Sequence, residues 1–389
     1  MTIPPELQLL VAQAKQQMPQ LAHLPDEVVG QLVLEALQEQ HGQSQVRMPA
    51  YEEELKKLPL DQIGAIGQQM MITGHWDEAE MVFFVGLQKA EEEHDVPLQL
   101  NFLTLLSRLC RDRGNFPQAM ALYQQALALT ERTGDRHLRG IIYDDMGVAY
   151  SMQGDYPQAI EYHKKGLDIT EDMGNEEGLA GGYGNLGNVY RQQGDYERAI
   201  QAYKKVLDIS IKLGEDRVSS RAYGNLGLAY QGKGQYDLAI EMYQKSLVIM
   251  LRIDDQQGVA RVYGNLGNVQ TKLGNYEAAI QMLQRALEIM QQIGDEPYVA
   301  KQYGNLAIVY KNVGDVGQAL AHYHQALKIF ERIGDRHSVA NTYFNLGNLC
   351  LKQGEREQAR AHYQKAKALY EMVGDGRGVQ DAARALRGL

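Results

Sequence analysis

The sequence predicts an all-α fold, a right-handed α-solenoid superhelix of stacked helix-turn-helix units. Three observations predict it. A glycine recurs every 40 residues, at Gly74, Gly114, Gly154, Gly194, Gly234, Gly274, Gly314 and Gly354. An alanine keeps step with it, at Ala79, Ala119, Ala159, Ala199, Ala239, Ala279, Ala319 and Ala359. A tyrosine joins at Tyr143, Tyr183, Tyr223, Tyr263, Tyr303 and Tyr343. Such a fixed period means an array in which each unit touches mainly its neighbours and the stack offers an extended surface.

Residues 180–219 show how one unit is built. Tyr183, Leu186, Val189 and Tyr190 recur at helical spacing, with Asn185, Arg191 and Gln192 off that stripe. Gly194-Asp195 breaks the pattern. The glycine can take the left-handed conformation that ends a helix, and the aspartate can cap the next one. Ala199, Ile200, Tyr203, Leu207 and Ile211 form a second stripe, which Leu213-Gly214-Glu215 ends. The unit reads as two antiparallel helices joined by a tight turn.

The run Tyr183-x2-Leu186-Gly187-x2-Tyr190, followed by Gly194, Ala199 and Tyr203, resembles the tetratricopeptide repeat (TPR). Small residues at Gly187 and Ala199 let two helices approach, and aromatics fill the space between them. The resemblance covers residues 60–379, eight units of 40. The common form has about 34 residues and a proline ending its second helix. Here that proline is missing and the second helix runs on through Ile211-Lys212-Leu213. This longer form, with Gly-Asn-Leu-Gly-Asn at 184–188 and 264–268, resembles the repeats of Pins/LGN spindle-orientation adaptors. It is similar in length to the repeats of kinesin light chains. No Gα-binding tail follows residue 379, so a full Pins/LGN protein is not expected.

Composition narrows the class. Of 389 residues, 44% are hydrophobic, as in packed soluble proteins. No run approaches the roughly 18 apolar residues of a membrane helix, and Met1-Thr-Ile-Pro-Pro does not open a signal peptide. A net charge of −10 argues against nucleic acid as the main partner. Cys110 and Cys350 lie six periods apart, both in the slot of Tyr190, and read as buried thiols of a reducing compartment. The expectation is a cytoplasmic protein without membrane insertion.

Residues 1–59 fall outside the repeat. One helical pattern opens at Pro4-Pro5 and runs to about Gln20. A second opens at Pro25-Asp26 with Val28, Val29, Leu32, Val33, Ala36 and Leu37 on one broad face. Residues 41–49 read as a linker and Tyr51 to Leu58 as a short charged helix. This N-terminal helical segment either caps the first repeat or serves as a docking or dimerisation pair. The latter would allow self-association through residues 1–49. The first two repeats are degenerate, with Ile63 and Met70, then Leu103 and Cys110, in place of the aromatics. Residues 380–389 read as a C-terminal capping helix.

In this fold the first helix of each unit lines the concave side. There one slot holds Asn185, Asn225, Asn265, Asn305 and Asn345, with Asp145 before them. Asn188, Asn268 and Asn348 follow three residues on. Asparagine is a poor helix former, so the series needs a reason. Its amide can both donate to and accept from a peptide backbone, the role that resemblance to Pins/LGN-type repeats implies. The alternative is that each asparagine bonds to the next unit and stabilises the stack. Before each comes Gly184, Gly224, Gly264 or Gly304, until Phe344 breaks the series and would make that end shallower and apolar. A ligand backbone or a neighbouring helix must come close there. Arg221, Arg261 and Lys301 form one basic row, with Asn341 next. Arg191, Lys272, Lys311 and Lys352 lie near the far end of the same helices, opposed only by Asp144 and Asp145. The pattern predicts an extended or helical, acidic peptide segment against units four to seven.

Nothing in the sequence reads as chemistry. Gly182-Tyr-Gly184-Asn-Leu-Gly187 fits a dinucleotide fingerprint but follows no strand. Gly227-x4-Gly232-Lys233 lacks the Ser or Thr of a phosphate loop. His322, His324 and His362 cluster without another ligand type and read as solvated helix residues. The expectation is no enzyme, no cofactor and no metal. The protein reads as a protein–protein interaction scaffold or adaptor that holds a partner's peptide. The alternative is a regulatory sensor whose superhelix changes conformation when a peptide or effector binds.

Overall fold

A computed structural model describes residues 48–389, with side chains from residue 52 onward. The helices expected up to Gln20 and after Pro25, the apolar face from Val28 to Leu37 and the linker over 41–47 lie outside the described residues. Every regular element among the described residues is an α-helix, and consecutive helices pack in pairs. The chain divides into two compact units after Met173.

The first unit contains α1 (Met48–Lys57), α2 (Leu60–Ile72), α3 (Trp76–Glu92), α4 (Val96–Asp112), α5 (Phe116–Thr133), α6 (Arg136–Gln153) and α7 (Tyr156–Asp172). Helix α1 starts inside the stretch read as linker, so residues 48 and 49 are helical. It packs on α3 through buried Leu55, and Lys89 Nζ donates to the Leu58 carbonyl at 2.6 Å. Ile63, Met70, Leu103 and Cys110 are all buried. Apolar residues of unlike shape therefore fill the slots that aromatics fill elsewhere.

The second unit contains α8 (Glu176–Gln193), α9 (Tyr196–Leu213), α10 (Asp216–Gly232), α11 (Tyr236–Arg252), α12 (Gln256–Leu273), α13 (Tyr276–Ile293), α14 (Glu296–Val313), α15 (Val316–Arg332), α16 (Arg336–Lys352), α17 (Arg356–Met372) and α18 (Gly376–Arg387). Helix α18 packs on α17, with Ala382 fully buried, and starts four residues ahead of the expected position 380. Among the described residues no helix is long and apolar enough to cross a membrane.

A left-handed glycine turns each hairpin, and in four of them a side chain also caps the second helix, as at α8 and α9. Gly194 ends α8 at φ +85°, a left-handed conformation that a Cβ disfavours. The Asp195 N–H then donates to the Tyr190 carbonyl at 2.8 Å. Asp195 Oδ1 accepts from the Arg198 N–H at 3.1 Å, capping α9. Charge follows the helix dipoles. Lys212, Arg252 and Arg332 near the ends of second helices pair with Glu176, Asp216 and Glu296 at the starts of first helices.

A small-to-large fit sets the spacing inside each hairpin. A Cβ added at Gly187 would lie 2.5 Å from the Tyr203 ring. The same holds for Gly227 against Tyr243 at 2.5 Å and Gly347 against Tyr363 at 2.6 Å. All three tyrosines are fully buried, as is Ala199. Gly67 faces Phe83 and Gly147 faces His163 in the same way. Burial pushes the Cys110 thiol up to about 11 and raises that of Cys350, so both stay protonated and unreactive. Gly187→Ala is expected to lower stability by about 1–3 kcal/mol, read as a shift of the urea midpoint, because backbone or ring must move.

Two half-buried histidines stack on tyrosines in the hairpins. His322 stacks between Tyr303 and Tyr310, with ring centroids 5.7 and 5.2 Å away, and His362 stacks on Tyr343 at 5.8 Å. Burial lowers the pKa of both imidazoles, and Lys365 and His324 lower that of His362 further. The fold thus favours neutral rings, whereas the unfolded chain takes protons near pH ~6.5. Their contribution to stability is present above that pH and is lost as pH falls through it toward the folded values. Met242 and Met282 fill the same slot in earlier hairpins. His322→Met/His362→Met is therefore expected to flatten the fall in melting temperature between pH ~7.5 and ~5.5.

Candidate functional site

All the candidate residues lie in the second unit, on the first helices α8, α10, α12, α14 and α16. Asn185, Asn225, Asn265, Asn305 and Asn345 occur one per helix at the same register, each half-buried. No member of this column bonds to a neighbouring hairpin. Asn305 Nδ2 donates to Gln302 Oε1 at 3.3 Å, within its own helix. Among the described residues Asn185, Asn225, Asn265 and Asn345 make no side-chain hydrogen bond.

The second asparagine column behaves differently. Asn188 and Asn348 accept from the hydroxyls of Tyr203 and Tyr363, each at 2.8 Å. Their carbonyl ends are committed to the hairpin, which leaves only their amide groups to face a ligand. Asn268 stands opposite the slot of Leu283, which has no hydroxyl, and makes no side-chain hydrogen bond among the described residues. Where position 308 is isoleucine, the buried Tyr323 hydroxyl is left without a partner.

The glycines before the first column separate the two explanations given for them. A Cβ at Gly304 would meet nothing within 4 Å. At Gly184 and Gly224 the nearest atoms would be Val206 at 4.0 Å and Ser246 Oγ at 3.7 Å. Tight helix packing accounts only for Gly264, where a Cβ would lie 2.5 Å from the Tyr298 hydroxyl. Phe344, in the same column, packs on the Tyr363 ring at 5.4 Å and joins Ala385 and Leu386 of α18. It packs where the C-terminal helix closes the array.

Arg221, Arg261 and Lys301 are exposed, as is Lys272, and none has a carboxylate within 4 Å among the described residues. Arg261 pulls against burial at Tyr298, whose hydroxyl is pushed up to about 12. The distal cations near the far end of these helices fall into two slots. Arg191 and Lys311 are half-buried, while Lys272 and Lys352, one residue further along the turn, are exposed. Arg191 lies against the Tyr203 hydroxyl, and its Nε has no partner. Burial lowers the pKa of Lys311, helped by Lys352, whose Nζ donates to the Lys311 carbonyl at 3.2 Å. Asp144 and Asp145 are not open counter-charges. Asp145 is held by Arg108 at 2.7 Å and Arg111 at 3.2 Å, and Asp144 faces His163 at 2.9 Å.

A cleft of about 460 Å³ lies between α8, α9 and α10. It brings together Asn185, Asn188, Asn225 and Arg221 with Gly181 and Gly184. It also holds Glu177 and Glu215, which the motif reading passed over. The signal for Glu215 was present in its column: positions 95, 135, 175, 255, 295, 335 and 375 are all Asp or Asn.

The sequence pattern of the tetratricopeptide repeat matches residues 98–172, 178–247, 218–292 and 298–372. A search of curated proteins found no match. Solved structures with the same fold include the apo quorum sensor NprR from B. thuringiensis, at 17% identity and TM-score 0.61, covering 92% of this chain and 98% of that one. Aspartyl phosphate phosphatase F from Bacillus subtilis aligns at 14% identity and TM-score 0.60, covering 94% and 89%. The Rap conjugation gene regulator of plasmid pLS20, in complex with its Phr peptide, aligns at 18% identity and TM-score 0.54, covering 76% and 79%. Gly184→Ala/Gly304→Ala is expected to raise stability, by up to about 1 kcal/mol per site, as read by urea denaturation. A loss would mean that these glycines serve packing.

Proposed function

Because the chain belongs to the tetratricopeptide repeat family, we propose that α8, α10, α12, α14 and α16 form a groove for an extended segment of a partner protein or peptide. The protein holds this segment and does no chemistry on it. The observation that carries the reading is the column of uncommitted amides at Asn185, Asn225, Asn265 and Asn345. Each can donate to a backbone carbonyl and accept from a backbone N–H, whatever the ligand's side chains. Gly184, Gly224 and Gly304 leave room beside them for a close backbone. The same features support kinship with the 40-residue repeats of Pins/LGN adaptors. Arg221, Arg261 and Lys301 favour a ligand rich in Asp and Glu, since they have no partner of their own.

A second reading is a sensor whose stack changes conformation on binding. The solved structures of the same fold favour it, for they include a quorum sensor and a regulator in complex with a peptide. The two readings share one site and differ in consequence. Small-angle scattering of free and peptide-bound protein distinguishes them: a sensor changes its dimensions, an adaptor does not.

The site itself is tested with peptides selected from a random display library on the wild-type protein. Selected peptides should be acidic. Their affinity should fall at least about tenfold in Asn185→Ala/Asn225→Ala/Asn265→Ala, with melting unchanged, and should weaken as salt screens the charges. Equal binding by the triple variant, or binding indifferent to salt, would overturn the reading.

A further inference from the structure

The groove proposed above carries a charge reversal at one end. On successive first helices one column reads Gly181, Arg221, Arg261 and Lys301. Where α8 would carry the next cation it has a glycine, and a Cβ there would meet nothing within 4 Å. The cleft beside that gap is lined by two exposed glutamates, Glu177 and Glu215.

Neither carboxylate has an ion pair or side-chain hydrogen bond among the described residues. Their immediate neighbours do: Glu176 pairs with Lys212, and Asp216 pairs with Arg252. Two cations on α10 are near in sequence, Arg217 and Arg221, and neither lies within 4 Å of a carboxylate. Arg221 shares the cleft. The cleft thus presents both signs of charge, unneutralised, around the free amides of Asn185 and Asn225.

Glu215 also breaks the repeat's own capping rule. Asp95, Asp135, Asn175, Asp255, Asp295, Asp335 and Asp375 each accept a backbone N–H three residues on. Glu215 holds the equivalent place ahead of α10 and makes no such bond. With its longer side chain Glu215 makes no cap, and the residue lines the cleft instead. A cap is thereby forfeited where the array elsewhere keeps one.

We propose that this cleft seats a positively charged group of the ligand, an α-ammonium or the head of a Lys or Arg side chain, between Glu177 and Glu215. Arg221, Arg261 and Lys301 then take carboxylates further along the same ligand. The backbone amides of a peptide are held alike in either direction, so the charge reversal fixes which way it lies. The proposal rests on the asparagine-bearing face being a peptide groove.

The test uses a positional-scanning library of synthetic octapeptides, half with free amino termini and half acetylated. Wild type should retain peptides with a cation at one end and Asp or Glu toward the other. Glu177→Gln/Glu215→Gln should lower retention of cation-ended peptides about tenfold or more and leave the acidic preference intact. Arg261→Gln/Lys301→Gln should do the reverse. Loss of binding on acetylation would assign the cation to the α-ammonium, and persistence to a side chain. Glu215→Asp gives an independent readout: melting temperature should rise as the cap to the Val218 N–H forms, while the cation preference falls. A cation preference absent from wild type, or unchanged in the glutamate variants, overturns the proposal and leaves the groove standing. If wild type retains no peptide, both fail.

Discussion

The fit of a small residue against a large buried one inside the hairpins, most often glycine against a ring, is the constraint on which the rest depends. At Gly187 and Tyr203 even a methyl group would overlap the ring. Two helices held that closely have one register, and repetition every 40 residues carries that register along the second unit. The asparagine column exists because of it. Five amides on five helices can address one ligand only if the helices do not slide or rotate from one hairpin to the next. The fit tolerates different rings, as Phe83 and His163 show, provided something large meets something small.

Against so regular a background, exceptions carry the information. Asn188 and Asn348 differ from Asn268 only in what stands opposite, a tyrosine or Leu283. Phe344 differs from the glycines of its column because α18, not another hairpin, lies next to it. Glu215 has a longer side chain than the seven capping residues of its column, and it lines the cleft without capping its helix. In a repeat protein each slot serves as a control for the others, so a departure can be weighed without reference to any second protein.

The helix pairs and their turns were legible in the sequence because glycine, alanine and tyrosine recur with one period and each has a local reason to be where it is. The burial of Cys110 and Cys350 followed from the same register. Side-chain commitment was not legible. Nothing in the string distinguishes Asn185, whose amide is free, from Asn188, whose carbonyl accepts from Tyr203 across the hairpin. Nor does it tell that Asp145 is already held by two arginines from the preceding first helix. The distal cations were grouped by nearness in sequence. One residue of offset turns a side chain about 100° around the helix, and this separates Lys311 from Lys352.

Asn185, Asn225, Asn265 and Asn345 carry uncommitted amides, whereas Asn188 and Asn348 are tied to the hairpin. The most direct measurement is a titration of protein labelled with nitrogen-15 at asparagine, using a peptide selected on the wild type and following the side-chain amide resonances. A peptide lying along the first column should give large shifts at Asn185, Asn225 and Asn265 and leave Asn348 almost unmoved. Shifts of equal size throughout, or shifts that miss the first column while the peptide binds, would contradict it.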